Sequence, residues 1–97
     1  MPLKKLGIVV KEIGEGYMLG ELVSTGLTTS VKGDACIQTE EVIRRMPFLM
    51  KVVNGYNLVE TQLSIDLFLS KEICKELQNI GFKNVVLSFN GKEYTEF

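Results

Sequence analysis

A small α+β domain is the fold class this sequence predicts, and three observations predict it. Short runs of β-branched and other apolar residues alternate with polar ones along the chain, as in half-buried strands. Two dipeptides, Asn54-Gly55 and Asn90-Gly91, separate such runs and mark tight hairpins. Two stretches, behind Thr39 and behind Ser70, place apolar residues at helical spacing after a residue suited to cap a helix. The expected architecture is a single domain over residues 1–97. It is a mixed, mostly antiparallel sheet of about four to six strands, with two helices mainly on one face and a C-terminal β-α-β-hairpin unit.

Taken in order, residues 6–13 read as a strand with Leu6, Ile8 and Val10 on one face. Gly14, Glu15 and Gly16 then turn the chain into a second strand over 17–23, weakened by Gly20. Residues 27–34 hold Thr28, Thr29, Ser30, Gly33 and Asp34, which is loop chemistry. Thr39 suits an N-cap, with Glu40 and Glu41 where a helix dipole favours carboxylates.

Beyond Thr39 two readings compete. Val42, Ile43, Met46, Leu49, Met50 and Val53 form a helical stripe, but Pro47 interrupts it, and an interior proline costs about 3 kcal/mol. The alternative stops the helix near Met46 and pairs 48–53 with 56–61 through Asn54-Gly55. The alternation of Val59, Thr61, Leu63, Ile65, Leu67 and Leu69 with polar neighbours predicts one long strand. Ser70 then caps a helix carrying Ile73, Cys74, Leu77 and Ile80, with Gly81 at C′ and Phe82 reaching back to Leu77. Residues 84–89 and 92–97 complete the sheet through Asn90-Gly91.

The glycines Gly14, Gly16 and Gly20 follow an apolar run, so a phosphate-binding loop has to be considered. Such a loop needs its last glycines to open a helix and a second strand bearing an acidic residue about 20 positions on. Here the spacing is one residue too long, the following segment is a doubtful helix, and Glu15 would set a carboxylate beside the phosphates. The glycines turn the chain.

Composition narrows the function classes. The 97 residues include no histidine, which removes the commonest general base and metal ligand. The cysteines Cys36 and Cys74 have no histidine to complete a zinc tetrad and are too few for a disulfide scaffold. Cys74 lies on an apolar stripe, and Cys36 lies near the expected helix start at Thr39, where a dipole could lower its pKa. No Ser-x-x-Lys spacing occurs. Glu60 and Asp66 lie about 20 Å apart on one extended strand, too far for a shared site. With 11 basic and 12 acidic residues the net charge is −1, which argues against nucleic acid unless folding gathers Lys4, Lys5, Arg44, Arg45 and Lys51. The apolar run near the N-terminus is too short for a signal peptide or a membrane span, so a cytoplasmic location is the expectation.

These features point away from an enzyme, a cofactor or a metal, and toward a non-enzymatic interaction or assembly module. It would be homo-oligomeric through an exposed sheet edge or face, with a further protein partner possible. Phe68, Tyr94 and Phe97 are the candidate contacts, because an apolar surplus of 45 % suits a covered surface. The alternative is a small-ligand or effector-binding regulatory domain using the Gly14–Gly16 turn with Thr28, Thr29 and Ser30 of the 27–34 loop. A carboxylate-dependent metal enzyme is the third and weakest reading.

Overall fold

The computed structural model describes residues 4–61 and 65–97. Its β-strands are β1 (Lys4–Gly14), β2 (Tyr17–Lys32), β3 (Ala35–Val53), β4 (Tyr56–Thr61), β5 (Val85–Phe89) and β6 (Lys92–Tyr94), and its one helix is α1 (Leu67–Asn79). All six strands form one sheet in chain order, β1-β2-β3-β4-β5-β6. Neighbours pair antiparallel except β4 and β5, which run parallel. A parallel pair needs a crossover, and α1 supplies it.

This corrects the expected α+β balance. The described residues hold one helix rather than two, and the molecule is dominated by its sheet. The helix expected after Thr39 is the middle of β3, where Thr39 pairs with Thr28 and Val42 with Thr25. β-Branched residues favour this pleated setting, and sixteen cross-strand pairs with β2 outweigh a local capping signal. The 27–34 loop is likewise the end of β2 and a two-residue Gly33-Asp34 turn, closed by the Lys32–Ala35 pair. Pro47 lies one residue before β3 begins to pair with β4, at the border where a strand tolerates a missing N–H.

The long strand expected over 59–69 is also corrected. β4 ends at Thr61, and Leu67 and Leu69 belong to the first turn of α1. Asp66, not Ser70, is the N-cap: its carboxylate accepts from the Leu69 amide at 2.8 Å. Ser70 lies inside the helix, its hydroxyl donating to the Asp66 carbonyl at 3.0 Å and lying 2.8 Å from the Thr61 hydroxyl. Leu63, expected in that strand, lies outside the described residues. At the other end Ile80 is the C-cap and is exposed. The Gly81 amide bonds to Gln78 O at 3.1 Å and Phe82 N to Leu77 O at 3.0 Å, a Schellman closure with Gly81 at φ +115°.

One face of α1 buries Ile73, Cys74 and Leu77 against Leu22, Met46, Phe48, Met50, Val59, Val85 and Leu87 of the sheet. These sheet residues share a face because side chains alternate along each strand. The opposite face of the sheet has no element on it among the described residues.

The shape follows from unequal strand lengths. Among the described residues β1 pairs with β2 as far as Gly26, and β4 pairs with β3 from Phe48 onward. Among the described residues the remainder of β2 and β3 pairs only with itself and forms a two-stranded arm ending at Gly33-Asp34. The molecule therefore measures 59 × 25 × 21 Å with a radius of gyration of 16.1 Å. A compact chain of this length would have about 12–13 Å.

Candidate functional site

The structure separates the residues that the sequence grouped. Gly14 ends β1 and Gly16 lies in the turn at the near end of β2, where the Gly16 carbonyl accepts from the Val52 amide at 2.9 Å. Thr28, Thr29 and Ser30 are strand positions in the arm, paired with Thr39, Gln38 and Ile37. The eleven strand residues between Gly16 and Thr28 hold them about 40 Å apart at strand rise, so one small ligand cannot span both groups.

The three aromatic candidates also part company. Phe68 is 70 % exposed in the first turn of α1. Tyr94 is half-buried, packs against the core and carries the Lys71 ammonium 5.0 Å from its ring centre. Phe97 is half-buried on the same core. Tyr94 and Phe97 therefore serve the domain's own interior, and β6 is an edge strand of only three residues.

The two cysteines lie in different surroundings. Burial pushes the Cys74 thiol up from 9.0 to about 12, keeping it protonated and inert. Cys36 is a free, exposed thiol beside the tip of the arm, on a strand rather than at a helix start. Among the described residues no group of three or more His, Cys, Asp or Glu could hold a metal ion. No helix among them is long and apolar enough to cross a membrane. The basic residues do not gather: Arg45 and Lys51 are engaged by Glu21 at 3.7 Å and Glu60 at 3.1 Å, and Arg44 alternates to the other face.

Two features stand out instead. The first is the arm. From residue 29 to 42 every side chain described is exposed, including Val31 at 72 %, Ile37 at 46 % and Val42 at 49 %. Among the described residues no third strand pairs with the arm along either outer edge. The open sheet face beside it carries a second apolar surface, with Val9, Leu19, Val53 and Tyr56 all exposed. Ion pairs are set into that face, Lys11 with Glu21 at 3.0 Å and Lys51 with Glu60. The Lys51–Glu60 pair is exposed and contributes little stability, whereas Glu21 is largely covered and meets both Lys11 and Arg45.

The second feature is a groove of about 380 Å³ at the root of the arm, between α1 and the sheet. Leu6, Leu22 and Met46 form one wall and Phe68 and Leu69 the other, with Arg44 and Glu72 also lining it. Ser24 also lines it, buried, with no hydrogen-bond partner for its hydroxyl among the described residues.

No family model matches the chain, and neither a curated protein nor a solved structure matches it. The function is therefore argued from these surfaces.

The sequence reading missed both. The arm had a signal in Gly33-Asp34, two turn residues between Thr28, Thr29, Val31 and Ile37, Thr39, Val42, the pattern of a tight hairpin. The groove had none, because Ser24, Arg44 and Phe68 meet only through the fold.

Proposed function

We propose that this chain is a non-enzymatic assembly module that self-associates through its β2–β3 arm. The carrying observation is the arm itself. An isolated two-stranded ribbon is marginal in water, and a long unpaired edge invites pairing with another chain. Val31, Ile37 and Val42 stand uncovered on that ribbon. The same molecule also leaves an apolar open face uncovered, with Leu19, Val53 and Tyr56.

An arm from one copy laid over the open face or along the β1 edge of the next covers both surfaces at once. Such a contact joins two different patches, so it is heterologous and builds a ring or a filament. The arm supplies reach and strand pairing, and the face supplies apolar area. Free thiols, one of them exposed on the arm, suit a reducing compartment, and the cytoplasm is the setting this reading implies.

The test replaces residues 28–39 with Asn-Gly, which joins the paired residues Leu27 and Glu40 through a type I′ turn. Sedimentation should find the full chain as an oligomer and the shortened chain as a folded monomer. A full chain that stays monomeric, or a shortened chain that still assembles, counts against the arm.

A further inference from the structure

The groove at the root of the arm contains a polar group that the fold leaves without a partner. Ser24 is 1 % exposed, and its Oγ has no hydrogen-bond partner among the described residues. Buried hydroxyls are nearly always paired, so an orphan of this kind calls for an explanation. Arg44 is its direct neighbour across β2 and β3, since the two residues are register partners. Side chains so placed stand about 5 Å apart at Cβ, close enough to grip one small group together. Among the described residues Arg44 forms no ion pair.

Apart from the Glu72 carboxylate, the rest of the groove is apolar, with Leu6, Met46, Phe68 and Leu69 around it. Its volume, about 380 Å³, falls within the range of small-molecule sites. We propose that this groove binds a small apolar carboxylate. The head group is held by the Arg44 guanidinium and the Ser24 hydroxyl, both donating to carboxylate oxygens. The hydrocarbon body lies between Phe68 and Leu6.

Arginine beside a hydroxyl donor matches a carboxylate in charge and geometry. A ligand reaches Ser24 by turning aside a groove side chain, and Arg44 and Phe68 are both exposed and able to move. The site also accounts for Phe68, a large aromatic left largely in water on the apo surface. It rests on observations separate from those that carry the assembly reading.

The experiment is an amide chemical-shift titration of the full chain with octanoate, kept below its micelle concentration. Octanol and octylamine are run in parallel. Octanoate should move the amides of Ser24, Met46 and Leu69 and bind more tightly than either comparator. Ser24→Ala should weaken it about fivefold, the loss of one hydrogen bond, and Arg44→Gln about tenfold or more. Folding of both variants is checked by their unliganded spectra. Octanol binding as tightly as octanoate would overturn the carboxylate assignment. Octylamine binding more tightly would assign the charge recognition to Glu72 and overturn it too. Shifts scattered over the open sheet face, no shifts at all, or affinities unchanged in both variants would overturn the site.

Discussion

The ring of Phe48 lies directly over Gly20, its partner across β2 and β3, so closely that a Cβ on Gly20 would stand 2.8 Å from the ring. Val9 O approaches the same point at 3.1 Å, so the space is closed by backbone as well as by side chain. Phe48 is 3 % exposed and belongs to the core. Gly20 is therefore a packing residue at the base of the arm, placed where any larger side chain would push Phe48 out of position.

Gly20→Ala should destabilise the fold by about 1–3 kcal/mol, the usual cost of overpacking a filled core. Combining it with Phe48→Leu removes the ring. The double variant should then lose less than the sum of the two single variants. Urea unfolding of all three measures the coupling, and strict additivity would place the strain elsewhere.

Ser24→Ala should raise the stability of the unliganded protein by about 1–2 kcal/mol, because it removes a buried hydroxyl that has no partner among the described residues. A gain in unfolding midpoint at unchanged denaturant slope is the expected result. A loss of stability would mean that the hydroxyl is satisfied in solution. Together with weaker octanoate binding, a gain would mark Ser24 as kept for function at a cost to the fold.

Cys74 links stability to alkaline pH. Burial raises its folded-state pKa from 9.0 to about 12, so the folded thiol stays neutral while the unfolded one ionises. The contribution is intact below pH 9 and is lost progressively between pH 9 and pH 12. At pH 10.5 the loss should reach about 2 kcal/mol relative to pH 8. Urea titrations of wild type and Cys74→Ala at both pH values isolate it from tyrosine and lysine ionisation. Equal losses in the two proteins would contradict the assignment.

The aromatic residues should separate by position. Phe68→Ser should leave stability within about 0.5 kcal/mol, as for an exposed site. Phe97→Ser and Tyr94→Ser remove side chains packed on the core and should cost about 1–2 kcal/mol each. Thermal unfolding distinguishes them, and a neutral Phe97→Ser would return that residue to the surface.

What could be read in advance depended on how local its cause is. Asn54-Gly55 and Asn90-Gly91 take φ values of 50° and 81°, and 49° and 78°, the left-handed pairs that a two-residue hairpin requires. The Gly81 closure of α1 is equally local and was legible for the same reason. Thr39, Glu40 and Glu41 carried a genuine helix-start signal, yet β2 lies alongside and pairs residue by residue. A capping preference of about 1 kcal/mol does not survive that competition. Leu67 and Leu69 matched strand alternation and the helix face alike, and only Asp66 reaching the Leu69 amide decides between them. Of the candidate site residues, Phe68 lines a groove, whereas Tyr94 and Phe97 face the core. The gathering of distant residues around one groove, such as Ser24 and Phe68, has no local signature at all.

The most direct test of the account is hydrogen exchange on the arm at two protein concentrations, well below and well above the assembly range. Amides from residue 29 to 42 should exchange freely in the dilute sample and become protected in the concentrated one, while the core amides of β4 and β5 stay protected in both. Protection of the arm that does not change with concentration would contradict self-assembly through β2 and β3.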